Sequence, residues 1–223
     1  RPASPGTPRA VYSVETGLLY DSGSTQTGRF QAMLTKQTQN MDALFLENTL
    51  DQHRGNISPE GLQACERIKE VMMMCARDNP VYEQISNFSI SLYILGYFDC
   101  NDLMSVPDTD PAEAGHILRQ DFIPVGSEDI SEDYKISEAA DKYLLVAGDP
   151  LFPEHFAVLT DTTSTRPFFS KLPFFGSGFD SLAELKDEFA DTDGVKHDEF
   201  YYFRKKPEYG IPPEAKGKIY ILK

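Results

Sequence analysis

The chain is predicted to be an α+β protein, on three observations. Apolar residues recur with helical spacing through residues 29–100. A strongly acidic, proline-bearing stretch follows over 101–142. From Tyr143 onward the apolar residues fall in short runs bounded by Gly, Pro and Asp, as strands do. The organisation read from this is an extended N-terminal arm (1–28), a mainly helical subdomain (29–100), an acidic connector (101–142) and an α+β subdomain (143–223).

Each element has a local justification. Residues 1–28 are rich in Pro, Gly, Ser and Thr, a composition that favours extended chain. Phe30, Met33, Leu34, Met41, Leu44 and Phe45 then fall largely on one helical face. Ser58-Pro59 places a good cap before a proline at the first helical position. The stripe Leu62, Cys65, Ile68, Val71, Met72 and Cys75 follows it. Asn79-Pro80 is a second start of this kind. Residues 81–98 fit both a helical and a strand period, and the start signal favours helix. The connector holds eleven acids and three bases, with one short helix expected near Asp110–Gln120. Beyond it, strands are expected at Tyr143–Ala147, His155–Thr160, Phe200–Phe203 and Lys218–Leu222. Ser181-Leu182-Ala183-Glu184 is a capping box opening a helix whose Leu182, Leu185 and Phe189 face inward. The order β-β-α-β-β implies a small antiparallel sheet with one packed helix.

The most concentrated segment is Arg166–Ser181, with five phenylalanines, two prolines and two glycines in sixteen residues. Aromatic anchors on a stiffened segment suit a core corner or a contact surface. Phe168, Phe169, Phe174, Phe175 and Phe179 are therefore the interaction candidates. Adjacent rings on extended chain point to opposite faces, so one of Phe168 and Phe169 is expected to be exposed or covered by a partner, and likewise one of Phe174 and Phe175.

Composition excludes several classes. The formal net charge is −14, which repels nucleic acid and anionic membranes and favours a basic protein partner. No apolar run approaches the ~20 residues of a membrane span. Cys65, Cys75 and Cys100 have neither disulfide-framework nor zinc spacing, which points to a reducing intracellular compartment. Arg1 and Arg9, with no acid in the first fourteen residues, fit the remnant of a removed organelle-targeting segment. The four histidines are scattered, with no metal-ligand spacing. Asp191-Thr192-Asp193-Gly194 does not align as a calcium loop, because phenylalanines would fall at its first and last ligand positions. No cofactor motif is present.

Leu18–Thr25, with Asp21-Ser22-Gly23, resembles the Asp-[Ser/Thr]-Gly loop of aspartic proteases, and Ile94-Leu95-Gly96 resembles the retroviral type's supporting segment. The resemblance covers about eleven residues. It lacks a second Asp-[Ser/Thr]-Gly, so the two-carboxylate chemistry of that family is incomplete. Gly176-Ser177-Gly178 before a helix, with Arg166 and Lys171 nearby, has the elements of an anion site, but Asp180 at its mouth opposes one. Asp149 and His155 flank a turn and could form an acid/base pair, although a strand-end histidine is expected at the surface. Asn87-Phe88-Ser89 matches the glycosylation sequon, and a place inside an element is the structural alternative.

These readings favour a non-catalytic interaction module or accessory subunit of a larger assembly. Two alternatives stay open. One is a small-ligand binder or hydrolase-like enzyme with low-specificity candidates Asp149, His155, Arg166 and Lys171. The other is an acidic neutralising binder of a basic protein.

Overall fold

The computed structural model describes residues 57–75, 85–173, 176–190, 195–196 and 198–207. The N-terminal arm, the helical pattern from Phe30, the start at Asn79, the rings of Phe174 and Phe175, the Asp191–Gly194 loop, His197 and the strand expected at Lys218–Leu222 lie outside them.

Four helices of the described residues are each opened by a side-chain cap. In α1 (Pro59–Met74) the Ser58 hydroxyl accepts from the Gly61 amide at 2.9 Å, and Pro59 needs no partner for a missing N–H. Its buried stripe is Ala64, Cys65, Ile68 and Val71. Helix α2 (Asn87–Ile94) starts at Ser86 and is buried from Phe88 to Ile94 on every side. A helix enclosed all round has no polar face, which is why the period of 81–98 is ambiguous in the sequence. Helix α3 (Pro111–Asp121) is capped by Asp110, whose carboxylate accepts from the Glu113 amide at 2.8 Å. Helix α4 (Leu182–Phe189) carries the capping box, with Ser181 and Glu184 exchanging bonds of 3.2 and 2.7 Å. Ser181→Ala is expected to cost about 1 kcal/mol of stability, read from the shift in urea midpoint.

The strands are β1 (Phe122–Val125), β2 (Tyr143–Ala147), β3 (His155–Leu159), β4 (Phe168–Leu172), β5 (Gly176–Asp180) and β6 (Phe200–Lys205). They form one antiparallel sheet in the order β1-β6-β2-β3-β4-β5. The fold is α+β. Helix α2 packs on one face, where Phe88 meets Phe156 edge to face with centroids 4.9 Å apart. The other face is covered by α4, where Phe189 stacks on His155, and by the segment before β2, where Tyr134 meets Tyr143. One cluster of buried apolar side chains runs from Ala64 in α1 to Phe203 in β6.

Three expectations change. The aromatic corner is a pair of sheet strands, β4 and β5, with Phe169 opposite Phe179. Phe168 and Phe169 are 2% and 0% exposed, so neither is the exposed ring the alternation implied. Alternation does send them to opposite faces, but both faces of this sheet are covered. The acidic segment supplies a strand as well as a helix: β1 pairs along β6, with Phe122 opposite Lys205. Its four residues and internal Pro124 suit only a sheet edge, and they give no strand-like run to read.

The ladder between β3 and β4 is short. It pairs Leu159 with Phe168 and Val158 with Phe169, then stops. Beyond it, α2 replaces the missing strand partner. The Phe156 amide donates to the Asn87 side chain at 3.0 Å, and the Ser91 hydroxyl donates to the Phe156 carbonyl at 3.1 Å. The sequon at Asn87 is thus occupied by a structural bond inside an element.

Candidate binding groove

On the α4-covered face, one groove of about 400 Å³ opens between the segment after β1 and the start of α4. Its apolar lining is Ile130, Leu159, Pro167, Phe168, Leu182 and Tyr202. Each comes from a different local device. Leu159 and Phe168 are the opposed pair at the closed end of the β3–β4 ladder. Tyr202 stands on β6 with its ring 6.3 Å from that of Phe168. Burial pushes the Tyr202 phenol up, so it stays a neutral hydrogen-bonding group at the groove. Leu182 is placed by the capping box that starts α4.

The remaining wall is Ser127, Ser131 and Glu132. Residues 127–133 carry Glu128, Asp129, Glu132 and Asp133 with no Lys or Arg, and Ile130 is their one apolar residue. A 3-10 turn at Ser127–Asp129 shapes this wall, with the Asp129 carboxylate accepting from the Gly126 amide at 3.0 Å. Thr162 ties it to the β3–β4 connection: its hydroxyl donates to the Glu132 carbonyl at 2.8 Å and its amide to the Tyr134 carbonyl at 3.0 Å. The acids at 128, 129, 132 and 133 are exposed, while Ile130 turns inward. The groove therefore has an aromatic and aliphatic floor and one acid in its lining, Glu132, with the exposed Glu128, Asp129 and Asp133 on the same segment of chain.

Beside the groove, Arg166 forks onto Glu184, its Nη2 and Nε donating to the two carboxylate oxygens at 2.5 and 3.2 Å. The Arg166 hydrogen bonds hold the Glu184 carboxyl down at about 2. Arg166 is thereby turned to the capping box. Gly176-Ser177-Gly178 lies within β5, short of the α4 N-terminus. Lys171 is buried on the α2 side of the sheet, beside Cys75.

Asp149 and His155 do not converge. Asp149 is exposed, and its carboxylate accepts from the Leu151 amide at 2.9 Å. His155 is 2% exposed, so the surface position expected for it does not hold. Its ring lies 4.3 Å from that of Phe189, and neither ring nitrogen has a hydrogen-bond partner. Burial drives its pKa down to about 3.

Other buried charges serve the fold. Arg67 donates to the Tyr93 carbonyl at 2.6 Å and lies over its ring, while Glu70 accepts from the Tyr93 hydroxyl at 2.5 Å and from the Leu103 amide at 3.0 Å. Lys142 donates to the carbonyls of Ile136 and Ala139, and burial lowers its pKa to about 8. Among the described residues no cluster of His, Cys, Asp and Glu is arranged to hold a metal, and no helix is long and apolar enough to cross a membrane. No family model, curated protein or solved structure matches the chain.

Sequence reasoning named Phe168 and Arg166 but missed Tyr202, Leu182 and the 127–132 wall as parts of one groove. A signal for the wall was present: Ile130 alone among four acids is an apolar residue with a reason to turn inward.

Proposed function

We propose that the protein is a non-catalytic interaction module, an accessory subunit of a larger assembly, whose groove receives a short apolar segment of a basic protein. The observation that carries this reading is the pairing of an apolar, aromatic floor with the acidic 127–133 wall. The floor rewards an inserted apolar side chain. The wall selects flanking Lys or Arg and speeds their approach. Phe168 enters this reading as a floor residue, while Phe169 and Phe179 pack against each other on the other face. The neutralising-binder alternative uses the same wall and differs only in what the bound partner does.

The test uses two synthetic peptides with the same apolar core, one flanked by lysines and one by glutamates. The lysine peptide is expected to bind the full chain and to perturb the NMR signals of Tyr202, Leu182 and Ser131. Glu128→Lys with Glu132→Lys should weaken it about tenfold, and Tyr202→Ala by a similar factor. Affinity should also fall between low and 0.15 M salt, where exposed charges are screened beyond ~8 Å. Equal binding of the glutamate peptide, or perturbations confined to another surface, would refute the reading.

A further inference from the structure

At the far end of β3 from the groove, the β2–β3 connection holds out two apolar side chains. Leu151 is 46% exposed and Phe152 62% exposed, in the sequence Gly148-Asp149-Pro150-Leu151-Phe152-Pro153-Glu154. We propose that this turn is a preformed docking anchor for a second protein surface, an apolar pocket rimmed by basic side chains. The proposal stands on observations separate from the groove.

Four hydrogen bonds and one close backbone contact brace the turn. The Asp149 carboxylate accepts from the Leu151 amide, and the Asp149 carbonyl accepts from the Phe152 amide, both at 2.9 Å. The Glu154 amide returns to the Ala147 carbonyl at 3.0 Å, and the Gly148 amide donates to the Glu199 carbonyl at 2.9 Å. Gly148 has φ +87°, a conformation open to glycine at little cost. Pro150 and Pro153 fix two further φ angles. From below, α3 supports the turn through Gly115, where a Cβ would sit 2.1 Å from the Leu151 carbonyl oxygen. A phenylalanine on such a support loses little conformational freedom when a partner covers it, and that is what distinguishes an anchor from a stray exposed ring.

Charge names the occupant. Asp149 and Glu154 are both exposed and flank the apolar pair, and no Lys or Arg lies between 148 and 154. A basic rim complements them. A second copy of this chain does not, because each copy carries −14 and the one charged residue lining its groove is the acid Glu132. An anionic membrane is disfavoured for the same reason.

The test is photo-crosslinking with the full chain in extract of its source cells. Benzoyl-phenylalanine is placed at Phe152 and, as a control, at the equally exposed Met104 (63%). One stoichiometric adduct is expected at 152 and not at 104. The adduct partner is then purified and titrated. Phe152→Ser should weaken binding about thirty-fold, the affinity equivalent of burying one phenylalanine ring. Asp149→Lys with Glu154→Lys should weaken it several-fold at low salt and less at high salt. Tyr202→Ala, in the groove, should leave it unchanged, which separates this surface from the one proposed above. Both turn variants should unfold at the wild-type urea midpoint, since the altered side chains are exposed. The proposal is overturned by the absence of an adduct at 152, or by an affinity indifferent to Phe152→Ser. It is equally overturned by a Phe152-dependent dimer in sedimentation, or by Phe152-dependent flotation with phosphatidylserine vesicles.

Discussion

Lowering the pH from 7 to 3 is expected to remove roughly 4 kcal/mol of stability through His155 alone, because each unit between its folded and unfolded pKa is worth about 1.4 kcal/mol and the folded group is half protonated at the lower end. Burial under Phe189, with no partner for either ring nitrogen, holds the imidazole neutral down to a pKa of about 3. In the unfolded chain the same group titrates near 6.5. The unfolded state therefore takes up the proton first. The contribution is complete above pH ~6.5 and drains as the pH falls towards 3. The stability contributed by Glu184, held at about 2, is also lost in acid, but it drains as the pH falls from the ordinary carboxylate value near 4.5 towards 2. At pH 4.5 His155 accounts for roughly 2–3 kcal/mol before that window opens. Urea unfolding of wild type and His155→Leu at pH 7 and pH 4.5 checks this. The variant should be close to wild type or more stable at pH 7, because two buried polar atoms without partners are gone. It should lose markedly less on acidification. Parallel losses in the two proteins would show that His155 titrates normally.

Phe156→Ala is expected to cost about 3–5 kcal/mol, the range for truncating a fully buried phenylalanine. Its ring is 0% exposed and fills the contact between β3 and α2 against Phe88. Asn87→Ala should cost about 1–3 kcal/mol by a different route, leaving the Phe156 amide buried without an acceptor. The two sites share one residue's backbone and side chain, so the double variant should depart from additivity. A double-mutant cycle by chemical denaturation measures this. A negligible cost for Asn87→Ala would mean that β4 closes onto β3 when the helix side chain is withdrawn.

Three of the four helix starts and the change of texture near residue 143 were legible in the chain; the start of α2 at Ser86 was not, the expected start having been Asn79-Pro80. Ser58-Pro59, Asp110-Pro111 and Ser181–Glu184 could be read because a cap is complete within four residues and depends on nothing further away. The β2 and β3 runs were legible for the same reason, since the turn residues between them are adjacent in the chain. What joins them is not. The pairing of β1 with β6 links Phe122 to Lys205 and leaves no trace in either segment. The aromatic corner misled because composition records how apolar a segment is, and only packing records what covers it. Phe168 and Phe169 lie on opposite faces and both are covered, whereas Phe152, in the turn between β2 and β3, is 62% exposed. His155 was expected at the surface because strand ends are commonly exposed; its burial depends on where Phe189, thirty-four positions later, comes to rest. The groove followed the same rule. The acids beside it lie together in the sequence, but its apolar lining is drawn from five separate stretches of chain. Only the assembled sheet, through contacts between residues distant in sequence, sets them side by side.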